Sequence, residues 1–433
     1  MRSTRKTRPV SDVTGRGWLL PSGIKCTYRD LSTDSESAGT LKQLTDDKSA
    51  GRAEILRTLS TRGPMSQAEL ARNAALAPST VSGIVASLRA EGILGEAPRT
   101  AAAASGPKGG RPGTVLALQP SLGTVAGIDF GKKHVRVAIA DLGHNILVEK
   151  VSLFVPDAPA AQHIELAGAL LDEALQELNL DKTSVINVGV GIPGPVHKAA
   201  GDPVDSAILP GWRGVNVSKA LNVALDLPIR IANDANLGAL SEWMWGAARG
   251  CSDVAYLKIS TGIGGGLILG GNPYWGSGGT AGEIGHTIID PLGRFCRCGN
   301  RGCLETIAGA ETILRTGEKI APGLTVTQLI QLARQGETTC IKALSDAGHA
   351  IGIALAMLCN LINPECVVVG GEMASAGELL LDPINASFRQ AALTSVAGDL
   401  TVIRGSLGEQ AEVLGAVAIA LRNAVSPRPH PGN

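Results

Sequence analysis

The chain has 433 residues, room for two or three domains, with 44% hydrophobic and only 3% aromatic residues, a balance that suits close-packed α/β layers. No signal-peptide core opens it, and the longest apolar run, Ile351 to Ile362, falls short of the roughly 20 residues that span a bilayer, so the expectation is a soluble cytoplasmic protein with no membrane partner. Net charge is zero, yet residues 1–112 hold 17 Lys and Arg against 10 Asp and Glu while the remainder hold 22 against 29, which points to a polyanion partner for the front alone.

Residues 1–45 are polar, with Arg2, Arg5, Lys6 and Arg8 and no sustained periodicity, and predict a disordered extension. Residues 46–120 read as a winged helix-turn-helix. Ala53, Ile55, Leu56 and Leu59 form a helical stripe that Arg62-Gly63-Pro64 stops. Ser66 caps a short second helix, and Glu69 completes a capping box. Pro78 fits the first turn of a third helix, whose Val81, Ile84, Val85 and Leu88 share one face. The other face offers Ser79, Thr80, Ser82 and Gly83, small and polar near the helix start, as a recognition helix in a major groove needs. A strand from Ile93-Leu94 and another over Thr114 to Leu118 flank a loop holding Lys108 and Arg111. With slim Gly110 and Pro112 as neighbours, the Arg111 guanidinium could enter a narrow minor groove. DNA is the partner this front predicts; a protein-interaction module of three helices is the alternative.

The body, residues 121–424, predicts a duplicated α/β architecture. Val125 to Leu142 reads as two apolar strands joined by a tight turn at Gly131, with an amphipathic helix at Ile164 to Leu178. Val185 to Val190 is a buried strand. Ile229 to Ala232 is another, delivering Asn233-Asp234-Ala235-Asn236 at its C-terminal end before a helix from Leu237 to Ala248. Ligands of open α/β sheets sit at such strand ends. The order begins again at Val254 with a strand, a glycine turn over Thr261 to Gly266, and a second strand over Leu267 to Leu269. Helices follow through Cys359, then a strand from Cys366 to Val369. Two lobes with a cleft between them are expected, and residues 425–433 read as a frayed tail.

Of the 8 cysteines, Cys26, Cys251, Cys340, Cys359 and Cys366 are scattered, as in a protein of a reducing compartment. The other three follow a histidine in the spacing H-x9-C-x-C-x4-C: His286, Cys296, Cys298 and Cys303. Three thiolates and an imidazole are the tetrahedral donor set zinc prefers, and Gly299 and Gly302 permit tight turns between them. Glu283 just ahead and Glu305 just behind would bring two carboxylates to the same place.

The segments GIDFG, GVGIPGPV, LPGWRGV, NDAN, STGIGGG, AGEIGH, CRCGNRGCLE and VVVGGE together resemble the ROK family of sugar kinases and sugar-responsive repressors. The front resembles the winged helix of its repressor branch, whose members include xylose, N-acetylglucosamine and glucose-type repressors. The likeness runs from about residue 50 to 424. It implies an actin-like, hexokinase-type (ribonuclease H-like) fold, a structural zinc site, a homodimer or homotetramer, and a sugar held by Asn233, Asp234, Glu283, His286 and Glu305. Carboxylates and an amide suit the paired hydrogen bonds of vicinal hydroxyls. His286 would hold zinc through one ring nitrogen and face the sugar with the other.

In the family's kinases the residue at position 234 is the general base, so Asp234 keeps an enzyme open. The first phosphate turn departs, however: the kinases read D-x-G-G-T, and this chain reads Asp129-Phe130-Gly131-Lys132-Lys133. That departure weakens the case for ATP. Ile208 stands where many relatives have Asn, which bears on sugar identity. The expected function is a sugar-controlled repressor of carbohydrate-utilisation genes acting on operator DNA, with no catalytic residue; an ATP-dependent hexose kinase is the alternative.

Overall fold

The computed structural model describes residues 50–97, 114–155, 158–197, 210–318, 320–398 and 400–425. The expectations for residues 1–45, Lys108, Arg111 and Ile208 lie outside these residues.

The front is built from α1 (Ala50–Arg62), β1 (Met65–Ser66), α2 (Gln67–Asn73), α3 (Pro78–Ala90), β2 (Leu94–Glu96) and β3 (Val115–Leu118). Local chemistry sets the boundaries. The Ser66 hydroxyl accepts from the Glu69 N–H while Glu69 accepts from the Ser66 N–H at 2.8 Å, so both halves of the capping box form. Pro78 stands at the start of α3, where a missing N–H is harmless. Ile55, Leu59, Leu70, Val81 and Leu88 meet in the core, while Ile84 is only half-buried. The three strands pair antiparallel in the order β1-β3-β2, the two-stranded β2–β3 wing included. Arg52 on α1 grips the Glu91 carboxylate just past α3 with two nitrogens.

The first lobe contains β4 (Thr124–Phe130), β5 (His134–Asp141), β6 (Ile146–Leu153), α4 (Ala160–Glu177), β7 (Val185–Ile192), α5 (Val217–Leu225), β8 (Ile229–Asn233) and α6 (Asp234–Met244). Its sheet runs β6-β5-β4-β7-β8, with β4, β7 and β8 parallel. The second lobe follows with β9 (Val254–Ile259), β10 (Ile263–Leu269), β11 (Asn272–Pro273), α7 (Leu304–Ala308), α8 (Ala310–Gly317), α9 (Val326–Arg334) and α10 (Thr338–Ile362). It closes with β12 (Cys366–Gly370), α11 (Glu378–Ala391), α12 (Thr394–Ala397), β13 (Val402–Arg404) and α13 (Ala411–Ala424). Its sheet runs β11-β10-β9-β12-β13 with β9, β12 and β13 parallel, the same topology repeated. The helix that leaves each sheet packs on the other one. α6 lies on β9 and β10, and α13 lies on β4 and β7.

Three local expectations change. The edge strand β6 was not anticipated, because Glu149 and Lys150 interrupt its apolar residues; both face partners, Arg136 for the first and Glu173 and Glu177 for the second. Of the glycines expected as a turn, Gly264, Gly265 and Gly266 lie within β10, where α6 packs against Gly264 and Gly266. A Cβ at Gly266 would stand 2.5 Å from the Ala235 carbonyl oxygen. Helix α6 starts at Asp234 instead of Leu237, because Asn233 Oδ1 accepts from the Ala235 and Asn236 N–H groups at 2.9 and 3.1 Å. By length and composition α10 is able to cross a bilayer; the run Ile351 to Ile362 is only its second half. In the fold, half of that apolar window is buried, with α10 laid along α11 over Ile384 and Phe388.

Candidate functional site

Four parts of the body converge between the lobes. Strand β8 ends in Asn233, and α6 opens with Asp234. A short 3-10 turn over Ile284–His286 carries Glu283 at its start, and α7 carries Glu305 in its first turn. Burial pushes the Glu283 carboxyl up to about 7, with Asp234 and Glu305 adding to the rise and Arg297 opposing it. Glu283 thus lies in the field of Asp234 and Glu305, two more of the residues expected to meet a sugar. Both oxygens of Glu305 are engaged, by Arg297 Nε at 3.0 Å and Nη2 at 3.1 Å, with the Ile263 N–H at 3.2 Å from the second. Asn233 is engaged too: its Nδ2 donates to the Gly194 carbonyl at 2.8 Å while its oxygen caps α6.

The cysteine loop folds back on itself through bridges between Ile288 and Cys303 and between Phe295 and Arg301. Donor atoms of His286, Cys296, Cys298 and Cys303 all lie within 4.8 Å of one another. His286 Nδ1 is 3.5 Å from Cys296 Sγ, and Cys298 Sγ is 3.7 Å from Cys303 Sγ. A four-coordinate ion with bonds of about 2.0 Å to nitrogen and 2.3 Å to sulfur would set these separations at about 3.5 and 3.8 Å. Burial and the neighbouring thiols push Cys303 up to about 12, so a bound cation is what would let all three thiols ionise together. The other ring nitrogen of His286 lies 3.9 Å from Glu283 Oε2 on the cleft side.

One charged group between the lobes went unremarked in the sequence. Lys258, on the otherwise apolar β9, has Nζ 2.8 Å from Asp234 Oδ2 and 3.0 Å from Glu412 Oε1 on α13. The second contact is close enough to pair, although off the line a hydrogen bond needs. Burial alone would lower the lysine's pKa, but Asp234, Glu412 and Asp129 together hold it well above the ordinary value. Asp234 Oδ1 accepts from the Ala235 N–H at 2.9 Å, so both of its oxygens are engaged. A charged residue in the run AYLKIS was the available signal, since a strand buried on both faces seldom carries one without a partner.

At the turn between β4 and β5, Asp129 is buried with Oδ2 3.1 Å from His134 Nε2. The His134 ring lies over Gly131, in the space a Cβ there would need. Lys132 and Lys133 are exposed. On the front, Ser79, Thr80, Ser82 and Gly83 are all exposed on one side of α3, opposite the buried Val81, Val85 and Leu88.

Residues 125–423 match the profile of the ROK family, and residues 48–95 match that of the MarR family. A xylose repressor from Caldicellulosiruptor bescii is 26% identical over 88% of this chain and 97% of its own. The crystal structure of a ROK family transcriptional regulator, a homolog of the E. coli MLC protein, superposes with a TM-score of 0.68 at 24% identity, covering 90% of this chain and 98% of that one. The structure of a ROK family glucokinase from Streptomyces griseus, in complex with glucose and AMPPNP, superposes with a TM-score of 0.61 at 28% identity and covers 99% of itself but 69% of this chain. The repeated sheets, the crossing helices and the cysteine loop all fall within the first of these matches, and by them the chain belongs to the ROK family, with a MarR-type winged helix at its front.

Proposed function

We propose that the chain is a DNA-binding transcriptional repressor of carbohydrate-utilisation genes, controlled by a sugar bound between the lobes. The observation that carries this reading is coverage: likeness to the repressor and the regulator extends over winged helix and body, whereas the glucokinase spans the body alone. α3 would enter the major groove with Ser79, Thr80, Ser82 and Gly83, and Lys108 and Arg111 of the wing loop would meet the phosphates or the minor groove. The sugar's hydroxyls would be met by Asn233, Asp234, Glu283, His286 and Glu305. Zinc would be held by His286, Cys296, Cys298 and Cys303; with four protein donors its role would be structural, keeping His286 in place beside Glu283. Two copies would place their recognition helices on paired half-sites, and sugar would alter their spacing by favouring the released state. Against a kinase stands the turn Asp129-Phe130-Gly131-Lys132-Lys133, where the second glycine and the threonine of the kinase pattern are replaced by lysines.

In a gel-shift series at moderate salt with DNA from the gene's own upstream region, we expect binding that glucose, xylose, N-acetylglucosamine or one of their phosphates weakens at least tenfold. Absence of DNA binding, or binding indifferent to every sugar, overturns this function; phosphoryl transfer from ATP that disappears in Asp234→Asn would establish the kinase instead.

A further inference from the structure

Helices α6 and α13 cross where Gly415 of α13 meets the Leu237 carbonyl of α6, too close for a Cβ. Before the crossing, each helix carries a carboxylate: Asp234 opens α6, and Glu412 lies in the first turn of α13. Lys258 bridges these two acids. Past the crossing, both helices meet α1 of the winged helix. The Arg62 guanidinium lies over the Trp243 ring of α6, 5.6 Å from its centroid. The Ser60 hydroxyl donates to the Leu421 carbonyl of α13. One pair of crossed helices is thus tied at the cleft end by a lysine and at the other end by the first helix of the DNA-binding unit. Eleven residues of α6 at about 1.5 Å each make the span about 16 Å.

We propose that Lys258 is the positioning residue that couples the sugar cleft to the winged helix. This rests on the sugar-controlled repressor reading above. A sugar hydroxyl that hydrogen-bonds to Asp234 competes with the ammonium for that carboxylate. Any change in the Asp234–Lys258–Glu412 spacing changes the angle between α6 and α13, and α1 is fastened to both. The two ends of each helix cannot move independently, because the helix is rigid over this length and the crossing is closely packed. Each state of the triad would therefore favour one placement of α1. The limited exposure of the triad supports the role, since a cation held between two acids largely out of solvent has a defined geometry and resists being left unpaired.

The test measures coupling separately from affinity. Operator affinity is read with and without saturating glucose, xylose or N-acetylglucosamine, whichever acts on the wild type, and sugar affinity is read by calorimetry. We expect Lys258→Met to bind sugar measurably yet change operator affinity less than twofold on sugar addition, against at least tenfold in the wild type. Lys258→Arg, which keeps the cation, should restore part of the response. Should Lys258→Met fail to fold, Arg62→Ala tests the far end: its sugar affinity stays within twofold of wild type while its coupling falls at least threefold. Wild-type coupling in folded Lys258→Met, or in Arg62→Ala if the first variant is unfolded, overturns the proposal and leaves the repressor reading intact. A wild type indifferent to every sugar overturns both.

Discussion

His144 shows how one side chain ties the two units together. Its Nε2 lies 3.1 Å from the Ser60 carbonyl oxygen, and its ring meets that of Trp245 edge-on with centroids 6.0 Å apart. Burial pulls its pKa down to about 4. The folded protein therefore favours the neutral ring. Stability is complete above the unfolded value near 6.5 and is lost as pH falls from there toward the folded value, by roughly 3 kcal/mol at pH 4 and about 2 kcal/mol at pH 5. Asp141 of the same turn, raised by burial, acts in the opposite sense, so the comparison that isolates the histidine is between variants. His144→Asn suits the left-handed φ of 69° at this position. Urea unfolding at pH 7 and pH 5 should show the wild type losing more stability than the variant on acidification. Equal losses would remove His144 from the account. Nothing local marked this residue, because a histidine in a turn between strands is buried only once α1 folds over it.

Among the elements, the β10–α6 contact separates what periodicity can and cannot reveal. A run of glycines reads as a turn when only neighbours along the chain are considered. In the fold it is a strand, stripped of side chains so that a helix can cross at backbone distance. Gly266→Ala would put its methyl 2.5 Å from the Ala235 oxygen and 2.6 Å from the Ala239 Cβ, and should lower stability by about 1–3 kcal/mol in thermal or urea unfolding. Gly83→Ala is the counterpart in an open helix, with no described atom within 4 Å of the added methyl, and should gain about 1 kcal/mol from helix propensity. If Gly266→Ala unfolds like the wild type, the close approach of α6 to β10 is wrong. The winged helix was the most legible part, since its capping box, its N-terminal proline and most of its apolar stripe are written within a few residues of each other.

For the whole molecule, the cysteine loop and the crossed helices are two frames that hold one cleft. The loop places His286 against Glu283 and ends at Cys303, the residue before α7, whose first turn carries Glu305. Purified protein should contain about one zinc per chain by elemental analysis. Cys298→Ser should lose it, and sugar affinity should fall about tenfold or more while operator binding without sugar remains. A variant that keeps full sugar response without metal would show that the loop does not orient the cleft. The four donors were legible because their spacing alone makes a ligand set. The acids around them could be anticipated as neighbours of the loop, but the engagement of Glu305 by Arg297 and the Ile263 N–H depended on packing.

The sequence by itself determined the elements whose physics is local: helix caps, apolar stripes, the duplicated order of strands and helices, and the four-donor loop. Hydrogen bonds and ligand spacings of that kind close over a few residues and hardly depend on the rest of the chain. Only the tertiary structure decided which helix crosses to which sheet, that Lys258 joins Asp234 to Glu412, and that Arg62 and Ser60 fasten the winged helix to the far ends of the same two helices. These depend on burial and on distances between segments far apart in the chain. Sheet register and backbone-to-backbone packing set those distances, and no local pattern encodes them.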